Sequence, residues 1–380
     1  MTTEPADGLQ PFLALEIGAE ARTLEAQGRD ICHLESGEPA VPPAPKVREA
    51  VRAMLDGPQG YTHFAGQRAL REGLAQYYAD QHGVAVDPDS MIVTMGSSAG
   101  FILAFTGGFR PGAAIAVTRP YYPGYINTLH GLGYRTVDIP VSAENGWRLT
   151  ADAIAAAHAR EPFDGLLFAS PANPTGASVS RAAFAEMIAT CARLGVRFIS
   201  DEIYHGLDYS CPSVSALELT GDAIVINSFS KYYCMTGWRI GWMVLPDDLL
   251  KRVQALQQNM FISAPTLSQV AATVALRERD YCEAQKLHYL ENRKLMTAGL
   301  ASMGLPIGEA DGAFYAYADV SRYTNDSLAL AHRLLAAGVA TAPGLDFDRV
   351  NGQRFLRLSY AGTREGIEKA MERMGKFFGA

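Results

Sequence analysis

Short apolar runs alternate with amphipathic segments through residues 68–245 of this chain. The runs are rich in β-branched residues and apolar throughout, as expected of parallel strands that are covered by helices on both faces. Helix-like segments lie between most of them, for example at 67–82 and 181–194. This alternation predicts an α/β fold built from βαβ units around a largely parallel sheet. The predicted strands are 91–95, 114–118, 165–170, 197–200, 223–227 and 240–245.

The pattern changes after Pro246, where long helical stretches are followed by short strands. This change predicts a second, smaller α/β unit. The long helical stretch 266–303 is expected to bridge the two parts. The other predicted elements of this part are helices at 247–260 and 327–336 and strands at 314–320 and 354–361.

A chain of 380 residues is too long for one ordinary domain core, so two packed domains are expected. We predict a large domain at 41–270 and a small C-terminal domain at 271–380. The N-terminal segment 1–40 is expected to pack with the small domain.

Composition and charge exclude several classes of protein. An apolar fraction of 48% with a net charge of −7 describes a compact enzyme with no basic surface for nucleic acid. No signal peptide and no apolar run long enough for a membrane span are visible, so a soluble cytoplasmic protein is expected. The cysteines lack a CxxC pair, which argues against disulfides and against a zinc site and favours a reducing compartment. They are Cys32, Cys191, Cys211, Cys234 and Cys282.

Polar clusters follow four of the predicted strands. They are GSS at 96–98, ANPTG at 172–176, DEIY at 201–204 and SFSK at 228–231. Ligands of open α/β sheets bind outside the carboxyl ends of the strands, so these four loops are expected to meet at one crevice.

The segment SFSKYYCMTGWRIGW, which begins at Ser228, resembles the lysine segment of the pyridoxal phosphate (PLP)-dependent class I and II aminotransferases. Further blocks match the family in order and spacing, so the resemblance covers about residues 34–360. It implies the aspartate aminotransferase-like PLP transferase fold type I, in which a mostly parallel seven-stranded sheet lies between helices beside a smaller α/β domain. These blocks are SGEP at 36–39, Tyr61 with Gly66 and Leu70–Arg71, GSS, PYYPGY, ANPTG, DEIY and FLRLSYA.

The resemblance assigns the central chemistry to Lys231, Asp201 and Tyr204. Lys231 is expected to hold PLP as an imine and, once released, to move the substrate Cα proton. Asp201 is expected to keep the pyridine nitrogen of PLP protonated. Taken alone, Lys231 reads as a surface lysine in a loop and Asp201 as a helix cap.

The resemblance also implies the remaining contacts with the cofactor ring. Tyr204 and Asn173 are expected beside the 3-oxygen of PLP, and Tyr122 is expected to stack on the ring. Ala172 departs from the family, in which Asn is frequent at this position. For Asn173 a plain turn is an alternative, and an aromatic core position is an alternative that suits Tyr121 and Tyr125 better than Tyr122.

A phosphate dianion needs several hydrogen-bond donors and a fixed cation. The implied donors are the backbone amides of Ser97 and Ser98 at a helix N-terminus and the hydroxyls of Ser228 and Ser230. Arg239 follows Lys231 by eight residues, as in the family, and is the implied cation.

Substrate binding is assigned in the same way. Arg357 is expected to bind the α-carboxylate of the substrate, with Gly37 and Asn173 beside it. An outward-facing arginine on an edge strand is the alternative for Arg357. Tyr61 resembles the tyrosine that relatives lend to the neighbouring subunit's phosphate site, which implies a homodimer.

The predicted function is ping-pong transfer of an amino group between an α-amino acid and a 2-oxo acid. PLP-dependent lyases and decarboxylases on the same fold remain alternatives, and a PLP-binding sensor domain is less favoured. The segment 256–265 lacks the arginine that some dicarboxylate-specific relatives place there, which weakly disfavours a strict aspartate enzyme. Phe314 and Phe347 match family positions around the substrate mouth, with a core position as an equal alternative for both, and the loop PGLDFD departs from the commoner family pattern. An apolar substrate pocket would be lined by Phe12, Phe64, Met260 and Phe261.

Overall fold

The computed structural model describes residues 9–379. Its central element is a seven-stranded sheet with the strand order β2-β8-β7-β6-β5-β3-β4. Strands β3 to β7 are parallel to their neighbours among themselves, and β8 runs antiparallel to both β2 and β7. The predicted α/β fold with a mostly parallel sheet is confirmed. The strands are β2 (Met91–Thr94), β3 (Ala114–Arg119), β4 (Arg135–Pro140), β5 (Gly165–Ala169), β6 (Arg197–Asp201), β7 (Ile224–Ser228) and β8 (Gly241–Val244).

Two apolar cores lie on opposite faces of this sheet. In β7, Ile224 and Ile226 belong to one core and Val225 to the other. Successive side chains of a strand point to opposite faces, so an uninterrupted apolar run supplies both cores. This is why six of the seven strands, all except β4, could be recognised as apolar runs.

Strand β4 was not predicted from the sequence. It lies at the edge of the sheet and pairs only with β3. Val137 and Ile139 are buried, whereas Arg135 and Pro140 are exposed, so its pattern alternates as expected of a half-buried strand.

The helices that pack around the sheets include several that the pattern predicted to within a residue or two. The stretch predicted as one helix at 266–303 is two helices, because the chain turns at 276–278. In the described part of the chain, no helix has the length and apolar composition needed to span a membrane. The helices are α1 (Leu13–Ala26), α2 (Pro45–Met54), α3 (Arg68–His82), α4 (Gly96–Gly108), α5 (Pro123–Gly131), α6 (Ala151–Arg160), α7 (Arg181–Leu194), α8 (Asp247–Met260), α9 (Thr266–Ala275), α10 (Arg279–Ser302), α11 (Ser327–Ala336) and α12 (Arg364–Phe378).

Two small sheets complete the fold. A three-stranded antiparallel sheet has the order β11-β12-β9, and β1 pairs with β10 in parallel. Arg357 lies on the central strand β12, so it is not on an edge strand. The division of the chain at residues 40 and 270 stays a prediction. The strands are β1 (Cys32–His33), β9 (Tyr315–Asp319), β10 (Val339–Ala340), β11 (Ala342–Pro343) and β12 (Phe355–Ser359).

Candidate active site

A cavity of about 470 Å³ opens where the carboxyl ends of β2, β5, β6 and β7 meet β12 and the N-terminal segment. This is the crevice expected of an open α/β sheet. Most of the predicted site residues line it, although they are spread over more than 300 positions of the chain. These are Gly37, Ser97, Ser98, Tyr122, Asn173, Asp201, Tyr204, Ser230, Lys231, Arg239 and Arg357.

The amine of Lys231 is held in the wall of this cavity. Its Nζ donates a hydrogen bond of 2.7 Å to the carbonyl oxygen of Gly37. Burial lowers the pKa of Lys231 to about 8; Glu38 opposes this shift, and the cations Arg357 and Arg239 add to it. A larger share of this amine is therefore neutral near pH 7 than for an exposed lysine, and a neutral amine is what nucleophilic attack requires.

Asp201 ends β6 and is buried at the cavity floor. Its Oδ2 accepts a hydrogen bond from the hydroxyl of Tyr125, and its Oδ1 accepts one of 3.1 Å from the backbone N–H of Ile203. Burial raises the pKa of Asp201 to about 6, and these two donors and Lys231 act in the opposite direction. No helix begins directly after β6 in the described chain, so Asp201 is not a helix cap. Its carboxylate lines the cavity and is available to a cation there.

Tyr204, Tyr315 and Gly37 pack against one another beside Lys231. The hydroxyls of Tyr204 and Tyr315 are 2.8 Å apart and hydrogen-bonded. A Cβ atom on Gly37 would lie 2.1 Å from the Tyr315 hydroxyl, so only glycine allows this close approach. Burial raises the pKa of Tyr204 well above its usual value, so its hydroxyl stays protonated and can donate a hydrogen bond.

Arg357 is only 3% exposed. Its guanidinium lies between two aromatic rings, with Cζ 4.5 Å from the ring centre of Tyr315 and 4.7 Å from that of Phe347. One nitrogen donates to Oδ1 of Asn173 at 3.1 Å and another to the carbonyl oxygen of Glu35. Its Nε has no partner, and no carboxylate in residues 9–379 forms an ion pair with it. A buried cation without an anion is costly, so this site fits an anionic ligand.

A second polar cradle forms at the N-terminus of α4. A Cβ atom on Gly96 would lie 2.6 Å from Nη2 of Arg239, so glycine lets the guanidinium approach the helix terminus. The hydroxyls of Ser228 and Ser230 lie 2.8 Å apart at the end of β7. Helix amides, a serine hydroxyl and an arginine are the donors that a phosphate dianion requires.

The structure does not bring every predicted residue into the cavity. Ser228 lies beneath Ser230 and does not line the cavity, and Tyr61 is 83% exposed and stands away from it. Phe314 is fully buried against Tyr204, and the fully buried ring of Phe347 packs against the guanidinium of Arg357. Both are therefore core aromatics and do not lie at the mouth of the substrate cavity.

Several residues of the cavity wall were not predicted from the sequence. Tyr125 and Tyr315 contact Asp201 and Arg357, and Glu35 and Arg22 lie on the same wall. Of the four apolar residues suggested for the substrate pocket, only Phe12 lines it. The GAFY and PYYPGY blocks signalled Tyr315 and Tyr125, but neither block indicates which of its aromatic residues faces the site.

A larger cavity of about 610 Å³ lies elsewhere, between α3, the start of α10 and the residues after β6. Tyr77, Tyr233 and Trp242 are among its walls. It contains none of Lys231, Asp201 and Arg357, so the smaller cavity is the candidate active site.

Comparison with known proteins identifies the family. Residues 29–374 match the family model described as aminotransferase class I and II. The valine–pyruvate aminotransferase of Mycobacterium tuberculosis is 41% identical over 377 residues, which cover 97% of each chain. The chain belongs to the class I and II aminotransferases.

Other members of this aminotransferase family agree in sequence and in fold. The aspartate/prephenate aminotransferase of Thermus thermophilus is 32% identical over 381 residues, which cover 98% of this chain and 97% of the relative. A crystal structure of an aminotransferase from Mycobacterium tuberculosis has a TM-score of 0.96 at 39% identity and covers 100% of this chain and 99% of that one. The predictions of a PLP-dependent aminotransferase and of fold type I are thus confirmed.

The residues of the cavity fit the PLP that this aminotransferase family uses. Lys231 offers a buried amine with a lowered pKa, and Asp201 offers a buried carboxylate. The cradle at Gly96 and Arg239 suits the phosphate, and the unpaired Nε of Arg357 leaves a place for a substrate carboxylate.

Proposed function

We propose that this aminotransferase exchanges the amino group of an aliphatic α-amino acid with a small 2-oxo acid in two ping-pong half-reactions. The observation that carries the proposal is that one cavity is lined by both the Lys231 amine and the buried guanidinium of Arg357, which has no carboxylate partner in residues 9–379. The first can transfer a proton, and the second can hold the acid group common to both substrates.

Arg357 is the proposed anchor for the substrate. Its fork binds the α-carboxylate, with the unpaired Nε as one donor, and Asn173 holds the guanidinium in place at 3.1 Å. Fixing this end of the substrate limits how its Cα can lie relative to Lys231. Amino and oxo acids share the carboxylate, so one anchor serves both half-reactions.

Lys231 is the proposed base and acid. When bound, PLP supplies the aldehyde carbon that carries the amino group and a ring that accepts electrons from Cα. With PLP bound, the Nζ of Lys231 would take the Cα proton and deliver it to that aldehyde carbon, and it would move the proton back in the second half-reaction; both transfers need a pKa near the working pH. Its lowered pKa of about 8 suits this use.

The other predicted contacts remain part of the proposal. Asp201 would pair with the ring nitrogen, Tyr204 and Asn173 would donate near the 3-oxygen, and Tyr122 would cover the ring face. Ser97, Ser98, Ser230 and Arg239 would hold the phosphate, while Ser228 supports Ser230 through their 2.8 Å hydrogen bond.

The preference for an aliphatic side chain rests on two apolar residues in the lining of the cavity. They are Phe12 and Leu15, at the start of α1. The relative with 41% identity is named for valine and pyruvate, which agrees with this apolar part of the lining. A second candidate, transamination of acidic amino acids, is favoured by one observation, the cation Arg22 on the same wall. Glu35 and Glu38 line that wall as well and oppose a second carboxylate.

Steady-state kinetics with L-valine and L-aspartate against pyruvate test the preference. We expect kcat/KM to be higher for valine and to stay within about twofold in Arg22→Gln, because a surface charge contributes little to an apolar substrate. Arg110→Gln, which changes an exposed arginine far from the cavity lining, is the matched control. A preference for aspartate that disappears in Arg22→Gln alone would establish the second candidate instead.

We further propose a homodimer whose interface includes Tyr61. The 57–66 loop, which carries Tyr61, is hydrogen-bonded to the segment 257–266, because Thr266 donates to the backbone oxygen of Gly60 and Gln257 donates to that of Phe64. Met260 and Ile262 are about half exposed on that segment. A patch of this kind is typical of a protein interface.

A cytoplasmic location is also proposed. All five cysteines are free thiols, and four of them are buried. Free, buried thiols are usual in proteins of reducing compartments. Cell fractionation with an antibody against the protein tests this location, and recovery in an extracytoplasmic fraction would contradict it.

A further inference from the structure

A hydrogen bond within the cavity wall joins Tyr125 to Asp201, 76 residues apart in the sequence. The phenol donates to Oδ2 of the carboxylate, and the backbone N–H of Ile203 donates to Oδ1. Both side chains are buried, so water does not compete for these bonds. The carboxylate is thus fixed on both oxygens before any ligand binds.

The start of α5 brings Tyr122 and Tyr125 together. Tyr122 immediately precedes α5 and Tyr125 lies in its first turn, and their rings meet edge to face at 5.3 Å between centres. Phe101, from α4, packs edge-on against Tyr125 at 5.2 Å. The start of α5 therefore sets both the ring proposed to cover PLP and the hydroxyl that holds Asp201.

We propose that Tyr125 is a positioning residue for the transamination, whose hydroxyl keeps the Asp201 carboxylate ionised and aimed at the pyridine nitrogen of PLP. This inference rests on the proposed role of Asp201. It assigns a chemical use to a tyrosine for which the sequence alone left an aromatic core position open.

The physical reason is the opposition between burial and hydrogen bonding at Asp201. Burial favours the neutral carboxyl and raises its pKa to about 6, while the Tyr125 hydroxyl favours the charged form. The pKa of Tyr125 itself is raised well above its usual value by burial, so the phenol acts only as a donor. Without this donor the pKa of Asp201 rises further, and near pH 7 more of the enzyme loses the negative charge that the ring nitrogen needs.

The direct test is the ring-nitrogen signal of holoenzyme loaded with PLP carrying ¹⁵N in the pyridine ring. Tyr125→Phe keeps the aromatic packing and removes only the donor. We expect the midpoint for ring-nitrogen protonation to fall by about one pH unit, which is about 1.4 kcal/mol, and kcat to fall about tenfold with little change in KM. Loss of packing alone would not shift the pH midpoint for ring-nitrogen protonation, and it would not lower kcat while leaving KM unchanged.

Tyr134→Phe is the matched control for stability. Tyr134 belongs to the same buried apolar core as Tyr125. Its hydroxyl donates a hydrogen bond of 2.9 Å to the carbonyl oxygen of Phe105, away from Asp201. It should lower the melting temperature about as much as Tyr125→Phe and leave the nitrogen signal unchanged.

Asp201→Asn completes a double-mutant cycle with Tyr125→Phe. In the Asp201→Asn background, the Tyr125 change should have no further effect on the nitrogen signal. If Tyr125→Phe leaves the wild-type signal while Asp201→Asn alters it, Tyr125 does not position Asp201, and the proposed role of Asp201 stands. If neither variant alters the signal, the contact of Asp201 with the ring nitrogen is wrong, and this inference falls with it.

Discussion

The amine of Lys231 donates a hydrogen bond of 2.7 Å to the backbone oxygen of Gly37, which lies 194 residues earlier in the chain. Gly37 belongs to the N-terminal segment, whereas Lys231 follows a strand of the central sheet. The reactive amine is therefore held between two distant parts of the chain before a cofactor binds. Its burial in this position is the main cause of its lowered pKa.

The rate at which apoprotein captures PLP should follow the ionisation of Lys231. The ammonium form cannot attack the aldehyde, so the rate should rise with pH and level off above a midpoint near 8. In Arg357→Leu the midpoint should move upward, because a cation that lowers the lysine pKa has been removed. Stopped-flow absorbance over pH 6 to about 11 measures this, and a rate that keeps rising toward the ordinary lysine value of 10.5 in the wild type would contradict it.

Gly37→Ala should disturb the site by contact. The new methyl group would lie 2.1 Å from the Tyr315 hydroxyl and 3.1 Å from its Cζ, so the tyrosine must shift and its bond to Tyr204 weakens. We expect a loss of about 1–3 kcal/mol in the free energy of unfolding, as for other overpacked sites, with a lower kcat/KM. Adding Tyr315→Phe removes the nearest atom and should restore part of the stability. Wild-type stability and activity in Gly37→Ala would show that the close approach is not required.

Arg357→Leu should remove recognition of the carboxylate without removing the amine chemistry. The ratio of kcat/KM for L-valine to that for isobutylamine, which lacks the carboxylate, should fall about 10- to 100-fold, as for a lost charged hydrogen bond of about 1.5–3 kcal/mol. Stability should change little, because the removal of a buried charge without an anion offsets the loss of the hydrogen bonds to Asn173 and to the carbonyl oxygen of Glu35. Arg354→Leu is the control, since this neighbouring arginine is half exposed and pairs with Asp319 at 3.5 Å. An unchanged ratio in Arg357→Leu would place the carboxylate elsewhere.

Mixed dimers test whether Tyr61 acts across the interface. Lys231→Ala chains should be inactive and Tyr61→Phe chains weakened, each as a homodimer. A hybrid of the two has one site with both residues intact only if Tyr61 comes from the other chain. Hybrids purified with two different affinity tags should then regain about half of the wild-type activity per dimer. Activity equal to the mean of the two parent homodimers would mean that Tyr61 serves its own chain or no site.

The convergence of the loops could be predicted because it follows from the sheet. Parallel strands end at one edge of the sheet, so Asp201 at the end of β6 and Lys231 after β7 had to meet. The edge strand β4 was missed because its burial alternates, and short alternating runs are common outside sheets.

Contacts across large sequence separations could not be predicted. Tyr125, in the first turn of α5, meets Asp201 at the end of β6 through a hydrogen bond, and nothing in PYYPGY distinguishes it from the buried Tyr121. In GAFY, Tyr315 and not Phe314 contacts Arg357. The sequence could not distinguish the two, because every position at the start of β9 is buried and the burial pattern does not alternate.

The absorbance spectrum of purified holoenzyme between about 300 and 500 nm tests the central claim most directly, namely that Lys231 holds PLP and carries amino transfer. We expect a yellow band that L-valine converts to the band of the amine form and that pyruvate restores, with no such lysine-bound band in Lys231→Ala. A wild-type protein that binds no PLP, or a Lys231→Ala protein with the same band and the same conversion, would contradict it.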